Sequence, residues 1–177
     1  MCAAGPAVRV ADAVRGAQER GWRVCVVLTP SAVGFVDVAG LEALTGYPVR
    51  SRHRRPGEAR GLPRARAVVV APATYNTVNK WAHGIADTYA LTLLAELVPL
   101  GVPTAVLPFV NSALASNPVF SESIAYLRRL GVTVLYGAGQ FEPHAPGAGG
   151  SRLAAFPWHL ALDAVPWPGG VVDDGGG

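Results

Sequence analysis

The segment from Val68 to Asp87 constrains the fold of this chain more than any other. It opens with a run of small, mostly β-branched residues, which is typical of a strand buried in a parallel sheet. Pro72 interrupts the run, small and hydroxylated residues follow, and a helix-like pattern comes next. Since ligands of open α/β sheets bind beyond the carboxyl ends of the strands, this loop is predicted to bind a ligand.

The loop after Pro72 combines small residues with polar side chains. Ala73 and Thr74 would let a flat ligand approach the backbone closely. The hydroxyl and amide groups of Thr74, Asn76 and Thr77 can hydrogen-bond the polar edge of a ring or a phosphate group. The sequence therefore predicts a ligand-binding loop, and these residues alone do not indicate which reaction the protein catalyses.

Buried apolar runs and helical patterns alternate along most of the chain. The predicted strands are Val24–Leu28, Tyr47–Val49, Ala67–Ala71, Thr104–Leu107 and Val132–Tyr136. The predicted helices are Ala7–Arg20, Asp37–Leu44, the segment from the Pro72 loop to about Val98, and Asn117–Leu130. Alternation of this kind with short links predicts a doubly wound parallel α/β sheet in three layers, αβα.

Composition favours a folded domain and argues against several other classes. Half of the 177 residues are hydrophobic and 15% are charged, which favours a globular fold over disorder. No apolar run approaches the ~20 residues of a membrane span, and no secretory signal is visible. Cys2 and Cys25 have no metal-ligand spacing and cannot build a disulfide framework. We therefore predict a cytoplasmic protein with no metal site and no membrane partner.

The alternating pattern changes at both ends of the chain. We predict one domain over residues 1–140 and a C-terminal flap with a flexible tail over residues 141–177, because small residues and proline dominate Ala145–Gly150. At the other end, Met1–Ala4 leaves room for only the end of a strand. We expect either a natural chain that starts upstream or an unusually short first strand.

Seven arginines lie between Arg50 and Arg66, with His53 among them. Such a cluster can contact nucleic acid or an anionic substrate, and it can equally be a solvated loop between two buried elements. No helix-turn-helix pattern, zinc spacing or aromatic stacking platform accompanies it. We therefore favour the solvated loop and predict no nucleic-acid partner.

Two motifs resemble those of a known flavoprotein family. Residues 72–77, Pro-Ala-Thr-Tyr-Asn-Thr, and the following Ala82–Asp87 resemble the Pro-Ala-Ser-Ala-Asn-Thr segment and trailing helix of the flavin-containing cysteine decarboxylases. Pro108–Asn111, with Asn117 and Pro118 downstream, is similar to the Pro-x-Met-Asn segment of that family. The resemblance covers roughly residues 1–136. The family includes phosphopantothenoylcysteine decarboxylases and peptidyl-cysteine decarboxylases, and the flavin prenyltransferases are its relatives.

The resemblance implies a Rossmann-like (flavodoxin-like) sheet that binds FMN at a subunit boundary within a homotrimer or a higher homo-oligomer. The cofactor-binding residues that it implies are Ala4, Gly5, Pro6, Thr29, Ser31, Ala73, Thr74, Tyr75, Asn76 and Thr77. These residues are chemically suited to FMN, because amides at a helix N-terminus attract a phosphate dianion and small residues let the cofactor approach the backbone closely. Tyr75 replaces a small residue of the motif, and we expect its ring to lie against the flavin or to narrow the substrate side.

The chain departs from the family pattern at the positions of the catalytic groups. The position that the resemblance implies for a catalytic histidine is Glu58, and the nearest histidine is His53. No cysteine follows Cys25 to serve as the flap cysteine, and Val110 replaces the methionine of Pro-x-Met-Asn. Asn111 remains, either to orient a substrate carboxylate through its amide or to cap the next helix. The candidate catalytic residues are therefore Asn111 and His53.

The other histidines give weaker signals. His83 and Asp87 are spaced for an i,i+4 pair on a helix, while His144 and His159 lie in or near the predicted flap. Since the protein offers no strong acid–base pair, the flavin would carry out the redox step. We expect an FMN-binding flavoprotein that acts on a small molecule as an oxidoreductase or a divergent decarboxylase-like enzyme. The alternative is a non-catalytic flavin-binding or regulatory protein.

Overall fold

A computed structural model describes residues 1–58 and 62–166 of the chain. The strands in these ranges are β1 (Val68–Ala73), β2 (Thr104–Pro108) and β3 (Thr133–Val134). The α-helices there are α1 (Val10–Glu19), α2 (Val38–Thr45), α3 (Tyr75–Ala82), α4 (Tyr89–Leu97), α5 (Ser112–Ala115), α6 (Pro118–Arg129) and α7 (Trp158–Asp163). Short 3₁₀ helices span Gly5–Arg9, Pro30–Phe35 and Ala148–Arg152.

The three strands form a parallel sheet in the order β1-β2-β3. Val68 pairs with Thr104, and Ala105 pairs with Thr133. All residues of β2 are buried, as expected for a central strand that is covered on both faces. Parallel strands joined by helices confirm the predicted α/β fold class.

Two further segments continue the sheet beyond β1 through backbone hydrogen bonds. The Cys2 amide donates to the Pro72 carbonyl at 3.1 Å, and the Thr29 amide donates to the Met1 carbonyl at 3.0 Å. The Leu28 amide in turn donates to the Arg50 carbonyl at 2.7 Å. On one side of β1, residues 1–2 come first, then residues 24–29 and then residue 50. On the other side of β1 lie β2 and then β3. The order of the segments reverses between residues 1–2 and β1.

The predicted strands Val24–Leu28 and Tyr47–Val49 are wrong as regular strands. The first segment forms a single bridge, between Val27 and Arg50, and Arg50 lies one residue beyond the second predicted strand. Val26 and Leu28 are nevertheless buried, as the apolar run suggests. A regular ladder requires pairing over several successive residues, and here the neighbouring segments pair over only one or two.

Apolar side chains cover both faces of the sheet. On one face, α3, α4 and α6 pack over the strands, and the buried residues include Val70, Val78, Leu91, Val106 and Phe120. On the other face, the buried residues are Ala71, Leu107, Leu135, Phe141, Phe156 and Ala161. Since alternate residues of a strand point to opposite faces, the sheet is the middle layer of three.

Several element boundaries differ from the sequence prediction. β1 continues past Ala71 because Ala73 pairs with Pro108 after an irregularity in register. The single helix predicted up to Val98 is two helices, since the chain turns at Gly84, whose φ is +70°. The Thr88 side chain then caps α4 by accepting a hydrogen bond from the Leu91 amide.

Two further element predictions need smaller corrections, and a third is confirmed. The predicted helix Ala7–Arg20 begins as a 3₁₀ turn, and α1 starts only at Val10. The predicted strand Val132–Tyr136 is regular only over Thr133–Val134. The helix predicted from Asn117 is confirmed as α6, with the Asn117 side chain accepting from the Val119 amide.

The described part of the C-terminal segment, residues 141–166, packs against the sheet. Phe141, Phe156 and Ala161 are all buried there, and α7 contacts β1, β2 and α1. The rest of the predicted tail, residues 167–177, lies outside the described residues. Among residues 1–58 and 62–166, no helix has both the length and the apolar character needed to cross a membrane.

Candidate functional site

A cleft of about 350 Å³ opens at the carboxyl end of β1 and of the neighbouring segments 1–2 and 24–28. Its lining residues are Ala3, Thr29, Pro30, Ser31, Thr74, Asn76, Thr77, Lys80, Asp87, Thr88 and Leu91. They follow residues 1–2, residues 24–28 and β1, so the cleft lies where the order of the segments reverses. Ligands of doubly wound sheets bind at this position, and the volume falls within the roughly 300–1,000 Å³ of small-molecule sites.

The loop between β1 and α3 supplies one wall of the cleft. Thr74 is the N-cap of α3, and its Oγ1 accepts a hydrogen bond from the Thr77 amide at 3.3 Å. The Thr74 hydroxyl also donates to Thr77 Oγ1 at 3.1 Å. An α-helix leaves its first amides without partners inside the helix, so this wall carries hydroxyl groups and amide donors together.

The structure brings five of the ten predicted cofactor-binding residues together in the cleft: Thr29, Ser31, Thr74, Asn76 and Thr77. The other five lie outside its lining. Ala4, Pro6 and Ala73 are buried. Gly5 lies against Leu153, where a Cβ would come within 2.5 Å of the Leu153 side chain.

Tyr75 is the fifth of these residues, and its ring faces the core. It stacks on Phe120 with 5.6 Å between ring centroids, within the layer that α3 and α6 form on the sheet. The structure thus places the ring beneath α3, and the expected contact with flavin stays a prediction.

Lys80 is a cleft residue that the sequence analysis missed. Its Nζ forms a salt bridge with the Asp87 carboxylate, and both side chains line the cleft. The expected pairing of Asp87 with His83 required an uninterrupted helix. The turn at Gly84 removes that geometry, leaves His83 exposed and returns the chain so that Asp87 reaches Lys80. Gly84, a glycine inside the helical pattern, was the sequence signal that could have indicated this break.

Asn111 caps the helix that follows β2. Its Oδ1 accepts a hydrogen bond from the Leu114 amide at 2.9 Å, so the side-chain oxygen is used and the NH₂ group is left to donate outward. The two roles considered for this residue, capping a helix and orienting a carboxylate, are therefore compatible.

His53 ties the arginine-rich loop to α4. Its Nε2 lies 3.4 Å from Thr92 Oγ1, and its ring meets Tyr89 edge-on at 5.5 Å between centroids. The side chain is exposed. It lies beside the start of α4, whose N-cap Thr88 lines the cleft, but not within the cleft lining.

Glu58, which stands at the position implied for a catalytic histidine, is held by arginines. Arg52 and Arg50 approach its carboxylate at 3.0 and 3.6 Å. The hydrogen bond from Arg52 is the main reason that the pKa of Glu58 lies below its usual value. At neutral pH this group is a carboxylate that organises the loop. Within residues 1–58 and 62–166, no three His, Cys, Asp or Glu side chains cluster so as to hold a metal ion.

Comparisons with known proteins show which family and which proteins this chain is similar to. The family model described as Flavoprotein matches residues 1–151. The protein named Probable phosphopantothenoylcysteine decarboxylase of Streptococcus mutans is 30% identical over 131 residues, which are 71% of this chain and 73% of that protein. The coenzyme A biosynthesis bifunctional protein CoaBC of Mycolicibacterium smegmatis is 33% identical over 138 residues, 73% of this chain and 31% of that protein.

Solved structures show the same relationship. The FMN-dependent cysteine decarboxylase SpaF matches with a TM-score of 0.62 and 27% sequence identity. The match covers 92% of this chain and 93% of SpaF. Both sequence motifs, residues 72–77 and 108–111, lie inside the region that the family model matches.

Proposed function

This chain belongs to the Flavoprotein family, and from that premise we propose that it binds FMN and acts as a decarboxylase-like, flavin-dependent enzyme on a small molecule. One observation carries the proposal: Thr74, Asn76 and Thr77 of the motif at residues 72–77 line the cleft at the point where the order of the segments reverses. The relatives named above support it, since their names describe decarboxylases of cysteine-containing compounds.

The cleft residues fit the parts of FMN. The hydroxyl groups of Thr29, Ser31 and Thr77 can donate to the ribityl chain and the phosphate, whereas the Thr74 hydroxyl is donated to Thr77 Oγ1. The amide donors at the start of α3 and the Lys80 ammonium favour a phosphate dianion. Asp87 opposes an anion, but its carboxylate is paired with Lys80. When bound, FMN supplies two-electron redox chemistry, and the protein supplies binding and orientation.

We propose that Asn111 orients the carboxylate of the substrate. Its NH₂ group is left to donate because its Oδ1 caps α5, and the loop that carries it leaves the sheet beside the β1 loop. The Phe109 amide donates to the Ala73 carbonyl at 2.8 Å, and Ala73 directly precedes the cleft residue Thr74. A substrate carboxylate at Asn111 would thus be one strand away from the cleft.

A second candidate function, a flavin-binding protein without catalysis, is supported by a different observation. Of the two side chains considered as the source of a catalytic base, Glu58 is paired with arginines and His53 contacts Tyr89 and Thr92. Both lie outside the cleft lining. A carrier would need the cleft but no proton-transferring group.

We also propose that the protein is a cytoplasmic homo-oligomer, a trimer or a higher assembly. Support comes from large apolar side chains that a single copy leaves exposed, among them Leu100 at 69% and Val8 at 59%. Measurement of the molar mass in solution by light scattering tests this, and a monomer at micromolar concentration would contradict it.

The first experiment identifies the cofactor. Purified full-length protein should be yellow, and the released compound should have the mass of FMN. If the protein is colourless, FMN should be added and its fluorescence followed, since binding in a cleft quenches flavin emission. Correctly folded protein that neither contains nor takes up FMN would overturn the proposal.

The second experiment separates the enzyme from the carrier. FMN-loaded protein is incubated with phosphopantothenoylcysteine and with a peptide that ends in cysteine, and carbon dioxide release is measured. Photoreduced protein is then mixed with candidate electron acceptors. Carbon dioxide release, or rapid stoichiometric reoxidation by one acceptor, supports the enzyme. Inertness in both assays supports the carrier.

A further inference from the structure

Phe109, Asn111 and His144 share one face at the carboxyl end of β2. His144 bridges Asn111 in a parallel arrangement: the Ser112 amide donates to the His144 carbonyl at 2.8 Å, and the His144 amide donates to the Val110 carbonyl at 3.3 Å. Paired residues of neighbouring strands, and residues two apart in one strand, point to the same side. The His144 ring accordingly lies 4.7 Å from the Phe109 ring, between centroids.

The hydrogen bond of the His144 ring determines its tautomer. Nδ1 lies 3.0 Å from the Ala145 carbonyl oxygen. Because a carbonyl oxygen can only accept, Nδ1 carries the hydrogen and Nε2 of the neutral ring keeps a lone pair. Gly149 packs closely on this ring, since a Cβ there would come within 3.2 Å of His144 Cε1. The ring is thus fixed between Phe109 and Gly149.

Asn111 and His144 therefore offer complementary groups side by side. The Asn111 NH₂ can donate to a carboxylate, and His144 Nε2 can accept a proton from a neighbouring acidic group. The ionisable side chains on the elements around the ring are Glu142 and Arg152, and the Arg152 guanidinium lies 5.8 Å from the centre of the Phe141 ring. α5 carries none.

We propose that His144 is the proton acceptor of this site, acting on the thiol of a substrate whose carboxylate is held by Asn111. The S–H bond breaks and an N–H bond forms at Nε2, leaving a thiolate and an imidazolium with no change of oxidation state. The inference rests on the proposed function, because the decarboxylase relatives suggest a substrate with a thiol and a carboxylate. His144 thereby supplies a base directly beside Asn111, the residue proposed to hold the substrate carboxylate.

The test measures thiol ionisation. N-acetyl-L-cysteine is added without oxygen to full-length, FMN-loaded and photoreduced protein, in which the flavin cannot oxidise the thiol. The ultraviolet absorbance of the bound thiolate is measured against N-acetyl-L-alanine as the blank. At pH 7 we expect the thiolate fraction to exceed that of the free probe about tenfold, which is one pKa unit.

Two variants of His144 and one control decide the outcome. His144→Asn keeps a donor for the Ala145 carbonyl, His144→Gln has an amide near the position of Nε2, and neither carries a base. Both should lose the excess thiolate, whereas His159→Gln, which changes an exposed histidine of α7, should keep it. Thermal unfolding of each variant verifies its fold. In a separate assay with oxidised FMN at pH 7, flavin reduction by the probe should slow only in the His144 variants.

Two results would overturn the role of His144: no excess thiolate in the wild type at saturating probe, or an excess that folded His144 variants retain. If the protein takes up no FMN, the proposed function fails by itself. The thiolate measurement on the FMN-free protein still decides whether His144 accepts the proton.

Discussion

The loops that follow β1 and β2 both contain a helix N-cap, but they have different neighbours in the structure. After β1, the Thr74 side chain accepts a hydrogen bond from the amide of Thr77. After β2, the Asn111 side chain accepts one from the amide of Leu114. Both are N-caps that satisfy a backbone donor three residues ahead. The first loop opens on the cleft, whereas the second pairs with the segment of His144.

The difference between the two capping side chains matters for recognition. The threonine hydroxyl accepts from one group while it donates to another, here Thr77 Oγ1. An asparagine that caps through its oxygen keeps two N–H donors for a ligand. The first loop thus presents short hydroxyl groups to the cleft, and the second presents a longer donor beside an imidazole. We expect a cofactor at the first loop and a substrate carboxylate at the second.

The largest expected effect comes from removing the Phe120 side chain, which packs beneath the start of α3. Phe120 is fully buried and its ring stacks on that of Tyr75, so Phe120→Ala should lower the free energy of unfolding by about 3–5 kcal/mol. Phe35→Ala is the matched control, because Phe35 is 40% exposed and its loss should cost about 0.5 kcal/mol or less. Urea denaturation measures both. Equal losses would show that Phe120 does not support α3.

The next effect concerns the charge at the cleft. Lys80→Met should weaken FMN binding about 10- to 100-fold, since a hydrogen bond to a charged group contributes ~1.5–3 kcal/mol. Asp87→Asn should strengthen FMN binding, because it removes a negative charge near the phosphate. The control variant Arg129→Met, on α6, should leave FMN binding unchanged. Flavin fluorescence gives the dissociation constants. If Asp87→Asn weakens binding as much as Lys80→Met, the ion pair is purely structural.

Lys80 also allows a chemical test, since it is the only lysine in the sequence. With FMN present at ten times its Kd, acetylation of Lys80 should slow about tenfold, because about a tenth of the cleft stays free. Riboflavin lacks the phosphate and should protect less at the same concentration. Mass spectrometry of the peptide that contains Lys80 measures the rate. Equal protection by both compounds would place the phosphate away from Lys80.

Removal of the two caps compares the loops directly. Thr74→Ala and Asn111→Ala should each lower the free energy of unfolding by about 1 kcal/mol. Only Thr74→Ala should also weaken FMN binding, because only its hydroxyl lines the cleft. Urea denaturation and flavin fluorescence measure the two effects. Weaker FMN binding in Asn111→Ala would mean that both loops contact the cofactor.

The first loop was largely predictable because its signals are local. An apolar run, a proline and a threonine cap lie within ten residues of each other, and together they predict a strand, a turn and a helix start. The break at Gly84 was missed because a glycine within a helical pattern does not always end the helix. The correct position of Asp87 depends on that break, and the Lys80–Asp87 pair was therefore not foreseen.

The second loop was less predictable because its partners are distant in sequence. Asn111 could be named from its motif, but its pairing with His144 depends on where the chain returns after β3. The same limit applies to Val24–Leu28, whose burial follows from composition while its regular pairing depends on its neighbours. Hydrophobic pattern predicts which residues are buried, and tertiary contacts decide which polar groups meet.

The smallest expected effect concerns the arginine-rich loop around Glu58, which lies outside the cleft lining. The pKa of Glu58 is lowered in the folded protein, mainly by the hydrogen bond from Arg52. Below the ordinary Glu pKa of about 4.3, the unfolded chain therefore binds more protons than the folded one. The stabilisation by Glu58 is complete above that value and is lost as the pH falls through the lower, folded pKa.

Glu58→Gln removes this titration, so the urea midpoints of wild type and variant should differ at pH 7 and converge in acid. The difference should be small because the salt bridge is partly exposed. FMN affinity should stay the same in both, since Glu58 lies outside the cleft lining. Loss of FMN binding in the variant would instead show that the loop closes over the cofactor, and His53 would then return as a candidate for the base.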